Sequence, residues 1–184
     1  MSHKNKSLDI TPSKNFWTGD PHAPVALVEY GDYESEECAK AHDVVLKLLQ
    51  EYQGKLKFNF RHFPQTRIHQ KAHKAAEAAI AAGQHGKFTE MHDLLFKNRR
   101  SLGTISLREY AIEAGVVDKN FIPNLVDSVF GWTVREDILE AVRQGVTEVP
   151  AFFINGERYF GKIDYTHMSK AIESYIQKNG KQRA

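Results

Sequence analysis

Residues 35–38 read Ser-Glu-Glu-Cys, and Cys38 is the only cysteine among 184 residues. A thiol at a helix start can be activated, because the helix N-terminus and nearby cations favour the thiolate, the form that attacks disulfides. Here the neighbours oppose ionisation. Glu36 and Glu37 stand directly before the thiol, and Glu29 stands on the preceding apolar run. Like charges disfavour a new anion, and burial disfavours it further. Together they oppose a dipole contribution of about 0.3–1 kcal/mol. The expected state of Cys38 is a protonated, slow thiol. The same four residues make a good plain helix start. Serine is a favoured N-cap, worth about 1 kcal/mol over alanine. Acids in the first turn suit the macrodipole, and a lone buried cysteine behaves as a small hydrophobe.

One cysteine excludes an intramolecular disulfide and a multi-cysteine zinc site. His69 and His73 have i,i+4 spacing and would share a helix face. The sequence places no third ligand beside them, so no metal is expected. Pro150 follows Val149 just before the apolar AFFIN; alone, that reads as a proline opening a strand. The basic stretch from Lys55 to Lys74 lacks the interleaved aromatics that single-strand binders stack on bases. It reads as a solvated face, and no nucleic acid is expected.

The elements that must position these residues are legible in the hydrophobic periods. Residues 1–14 read as a flexible arm and GDPHAP (19–24) as a turn-rich lead. VALVEYG (25–31) reads as a buried strand. From Glu36 to about Gln53, Ala41, Val44, Val45, Leu48 and Leu49 follow helical spacing, and Gly54 closes the run. KLKFNFRHF (55–63) alternates and ends at Pro64, so the first part is β-α-β with parallel strands and a right-handed crossover. A block of helices follows over about residues 66–146. It includes a small-residue stripe at Ala72, Ala75, Ala76, Ala79 and Ile80, and is punctuated by Gly86, Gly103, Gly115 and Gly131. AFFING-ERY (151–159) carries the Asn155-Gly156 hairpin signal. An amphipathic helix over 165–179 closes the chain.

Bulk properties fit one globular α/β domain over residues 15–184. The hydrophobic fraction is 41%, the charged fraction 26% and the net charge +2. The apolar runs are too short to span a bilayer, so no membrane partner is expected. The N-terminus, MSHKNKSLDITPSKNFW, is polar and basic without an apolar h-region, from which a cytoplasmic location is expected.

The order β-α-β, helices, β-β-α resembles a thioredoxin fold with a helical insertion. GDPHAPVALVEYGDYE, RHFP, KAAEAA, KFTEMHDLLF and VPAFFINGERYFG resemble the DsbA-like thioredoxin-fold proteins, in particular bacterial members with a compact insert, over roughly residues 15–178. The resemblance implies Cys-x-x-Cys where this chain has Ser35-Glu36-Glu37-Cys38. Ser35 then stands in place of the attacking cysteine and Cys38 in place of the second. Dithiol exchange needs two sulfurs, one to attack and one to resolve, so this change removes the intramolecular cycle. The resemblance also implies that Glu29 handles the proton of the second cysteine. The reading of the residues alone pairs Glu29 with a lysine instead. Pro150 is implied to be a cis-proline, with Val149 presenting its backbone to an extended substrate beside Glu36 and Glu37.

Three functions follow as expectations. The first is a thiol-disulfide oxidoreductase family protein acting at most weakly through Cys38 on a thiol-containing peptide or protein. The second is a glutathione-binding transferase or isomerase in which Ser35 holds the bound thiolate and Arg61, Arg67 and Lys71 meet its carboxylates. The third is a non-catalytic groove for a peptide or for self-association as a homodimer. No cofactor is required, with glutathione the one candidate.

Overall fold

Strand β2 (Val25–Gly31) runs through the middle of the sheet because its side chains are buried on both faces. The computed structural model describes residues 9–181. Helix α1 (Glu36–Glu51) follows, then β3 (Leu56–His62), which pairs parallel with β2, Glu29 standing opposite Phe60. The helical insert comprises α2 (Ala72–Gly83), α3 (Phe88–Lys97), α4 (Thr104–Glu113), α5 (Phe121–Val126) and α6 (Gly131–Arg143). The chain returns through β4 (Ala151–Ile154) and β5 (Glu157–Tyr159) and ends in α7 (Tyr165–Lys181). A short strand β1 (Trp17–Gly19) pairs antiparallel with β3, which gives the five-stranded order β1-β3-β2-β4-β5.

Period-2 alternation divides the core. Val25, Leu27, Phe58, Phe60 and Phe152 belong to the larger cluster with α1, α7 and much of the insert. Tyr30, Ala151 and Phe153 point the other way and meet Ala141 of α6 and Val146. Helix α2 is buried on nearly every side; its alanines admit close neighbours, and Glu77 is fully buried with His73 and Lys74 on its carboxylate. The β4–β5 turn places Asn155 and Gly156 at positive φ, as a two-residue hairpin of this sequence requires. Asn155 also accepts from the Ala26 N–H through its side chain, at 2.7 Å.

Two expectations change. Residues 1–8 of the arm lie outside the described residues, and the rest of it is pinned. Thr11 exchanges hydrogen bonds with the Gln84 side chain, and Asn59 Nδ2 donates to the carbonyls of Ser13 and Phe16, both at 2.8 Å. Strand β1 was not expected, because three residues carry no period; its pairing with β3 creates it. None of the described helices is long and apolar enough to cross a membrane.

The end of β3 is locked to α6. Arg61 Nε meets Asp137 Oδ1 at 2.5 Å, and the His62 N–H donates to Asp137 Oδ2 at 3.0 Å. The His62 ring is buried with neither nitrogen partnered. Burial, with the Arg61 charge adding, lowers its pKa to about 3 from 6.5. Between those values the unfolded chain binds a proton that the folded chain refuses. Stability is therefore lost as pH falls below 6.5, by about 1.4 kcal/mol per pH unit for this one group. Denaturant melts of wild type and His62→Gln between about pH 6.5 and pH 4 should show a shallower pH slope in the variant. Parallel slopes would contradict this assignment.

Candidate functional site

The first turn of α1 is built by Ser35. Its backbone is extended and its Oγ accepts from the Cys38 N–H at 3.2 Å, which satisfies one of the unpaired donors of the helix start. The preceding loop is held by Asp32, which is buried. Its carboxylate accepts from the N–H of Glu34 at 2.7 Å and of Gln65 at 2.7 Å, and pairs with His69 Nδ1 at 2.9 Å. One side chain thus clasps the loop after β2 to the loop after β3.

Cys38 faces inward with no exposed surface. Its Sγ accepts only a long contact from the Asp32 N–H, at 3.5 Å. Burial first, and the carboxyl of Glu29 second, push the thiol well above its ordinary range, against smaller opposing effects from Ser35 and the Asp32 backbone. This corrects the electrostatic expectation for Glu36 and Glu37. Both are exposed, and Lys40 lies 3.2 Å from Glu36 and 3.1 Å from Glu37, with Arg99 a further 3.2 Å from Glu36. Their charges are answered at the surface, and the thiol is kept neutral from beneath.

Glu29 lies on the core face of β2 between Phe60 and Phe152 on the adjoining strands. It is 1% exposed, and neither carboxylate oxygen has a hydrogen-bond partner. Among the described residues no lysine reaches it, contrary to the plain reading of the sequence. Desolvation raises its pKa well above 4.5. Gly31 keeps the space beside it: a Cβ there would come within 2.5 Å of the Phe60 ring and 3.1 Å of Glu29 Oε1.

The Val149–Pro150 bond is cis. Val149, Pro150 and Glu148 form one wall of a groove of about 340 Å³. Glu37, Lys40 and Ala41 of α1 form the other, and Ile163 closes an end. Val149's backbone N–H and C=O take no hydrogen-bond partner among the described residues. The structure therefore brings Val149, Pro150 and Glu37 together. Ser35 caps the same helix but does not line the groove, and Glu36 lines a different one toward α3. Arg61 is spent on Asp137, and neither Arg67 nor Lys71 lines the groove. The His69/His73 pair also separates, since His69 goes to Asp32 and His73 to Glu77 at 3.1 Å.

A β-α-β unit and a β-hairpin sharing one sheet, with a cis-proline facing the first turn of the first helix, define a thioredoxin fold, here with a helical insert. The chain matches the thioredoxin family over residues 11–174 and belongs to it. The fold is DsbA-like. The structure resembles oxidised BdbD from Bacillus subtilis with a TM-score of 0.81 at 21% identity, over 94% of this chain and 100% of that one. It resembles α-DsbA1 from Wolbachia pipientis with a TM-score of 0.79 at 20% identity, over 96% and 98% of the two chains. In sequence it is 36% identical over 167 residues to the Na(+)/H(+) antiporter NhaA 1 of Salinispora arenicola. That match covers 91% of this chain and 26% of the antiporter, so the chain spans about a quarter of the relative's length.

Replacing Glu29 by glutamine keeps the shape and removes the titration. The folded protein holds a proton on Glu29 that the unfolded chain releases above about pH 4.5, so the native residue costs stability as pH rises. Glu29→Gln should raise unfolding free energy at pH 8 by about 1 kcal/mol or more, with the gain shrinking toward pH 4.5. Equal or lower stability across that range would refute an unpaired buried carboxyl.

Proposed function

We propose that this chain is a DsbA-like module that holds an extended, thiol-containing stretch of peptide or protein at Val149 and Pro150, without ordinary dithiol exchange. One observation carries the reading: the groove is open while the sulfur behind it is sealed and protonated. The unpaired Val149 backbone supports strand-like pairing with a guest, in which main-chain bonds give affinity and flanking pockets give selectivity. Ile163, Lys40 and Glu37 supply an apolar end and one charge of each sign.

Chemistry supports the absence of exchange. A serine hydroxyl ionises far above neutral pH and forms no reversible bond to sulfur, so Ser35 cannot open a substrate disulfide. Cys38 has no surface from which to attack. Glu29 lies close enough to Cys38 for its carboxyl to push the thiol's pKa up, and burial keeps that carboxyl protonated above its ordinary range. Ser35 is 7% exposed and does not line the groove, which weighs against its holding a glutathione thiolate there.

Wild-type protein should not accelerate insulin reduction by dithiothreitol, and its thiol should react with Ellman's reagent only on unfolding. Brisk turnover would overturn the proposal. A labelled cysteine-containing peptide should bind in fluorescence anisotropy, with the affinity lowered by about tenfold in Ile163→Asp, the order expected for losing one well-packed contact. Unchanged affinity would remove the groove from consideration. In Ser35→Cys, glutathione disulfide should oxidise the two thiols to a 35–38 disulfide and release two molecules of reduced glutathione.

A further inference from the structure

Behind the first turn, α1 and α3 bring together three potential metal ligands that play no part in the groove. His42 lies one turn after Cys38 on the buried face of α1, and His92 and Asp93 are consecutive on α3. One donor atom from each lies within 4.8 Å of the other two. We infer that His42, His92 and Asp93 form a binding site for a divalent transition metal of the zinc class, with its fourth position open to water.

Three observations support this site. His42 Nε2 and Asp93 Oδ1 are 3.3 Å apart. Zinc bonds to nitrogen and carboxylate oxygen of about 2.0–2.2 Å in a tetrahedron give a ligand–ligand edge of about 3.4 Å, so the pair already has the required separation. His92 is 4% exposed; its Nδ1 is engaged by the Tyr33 hydroxyl at 2.9 Å, and its Nε2 has no partner. A buried unpaired ring nitrogen is costly, and an outer hydrogen bond of this kind fixes which nitrogen faces a metal.

The third observation is access. His42 and Asp93 line an open groove of about 590 Å³, and the Asp93 side chain is 46% exposed. Three cations line the same groove: Lys40 and Arg99 are paired with Glu36 or Glu37, and Lys97 stands one turn after Asp93 on α3. Phe96, which lines the same groove, stacks on His42 with ring centroids 4.9 Å apart. Softer thiolate chemistry is not required, because Cys38 points into the core.

The test is calorimetry of chelator-treated protein with Zn2+, supported by the ligand-field absorption of Co2+. Saturable binding of one ion per chain in the micromolar range or tighter is expected, with absorption typical of four-coordinate Co2+. Asp93→Asn, at a half-exposed position, should fold and lose affinity by about tenfold or more; Tyr33→Phe should lose about tenfold through His92 orientation. His22→Ala and His167→Ala, at exposed sites, should bind as wild type. A zinc-dependent rise in Tm should disappear in Asp93→Asn, whichever way His92→Ala folds. Binding unaltered by Asp93→Asn, or abolished instead in Cys38→Ser, would overturn the assignment, as would no saturable binding at all.

Discussion

At the end of β2, a buried carboxyl group and a buried thiol lie close together, and among the described residues neither has a cation beside it. Burial raises the pKa of both, and the Glu29 carboxyl raises that of the thiol further. The arrangement is held by register. Glu29 must point to the core face because Leu27 does, two residues earlier on the same strand, and Phe60 and Phe152 flank it on either side. Gly31 then allows the Phe60 ring to close over the carboxyl. Moving any of these by one residue would turn the acid to the opposite layer.

That desolvated interior explains why the helix start tolerates Ser-Glu-Glu. With a serine cap and two surface acids answered by Lys40 and Arg99, the first turn of α1 is satisfied without reactive sulfur at its tip. The groove beside Pro150 owes its shape to the sheet and to Ile163 more than to the thiol. Under the proposed function, binding geometry and redox chemistry are separable in this fold. The likeness to part of an antiporter fits a portable domain: the matched region corresponds to a thioredoxin-family unit, and transport does not pass to this chain with it.

Much of the architecture was readable from periodicity. β2 occupies the seven residues of its apolar run, α1 begins at Glu36 after its serine, and the Asn155-Gly156 turn joins β4 to β5. These are local signals with local causes. β1 was invisible because only β3 makes it a strand. Glu29 was ambiguous because its lack of a lysine partner depends on the strands either side of it. The influence of Glu36 and Glu37 on Cys38 was overrated, since sequence adjacency ignores which way each side chain leaves the helix. His42, His92 and Asp93 were missed altogether: the spacing of a metal motif is sought along one chain segment, whereas these ligands meet only because α1 packs on α3. The adjacent His92-Asp93 pair and a histidine one turn beyond the cysteine were the signals available.

The sheet ends in two very short strands, β1 and β5, each three residues long. One carries glycine and is followed by two prolines, Pro21 and Pro24; the other alternates Glu157 and Arg158 before Tyr159. Short, charged or proline-flanked borders discourage lateral zippering of identical sheets into ribbons. The rims of the sheet are thus poor templates for lateral pairing, so crowding should not drive the chains into fibrils.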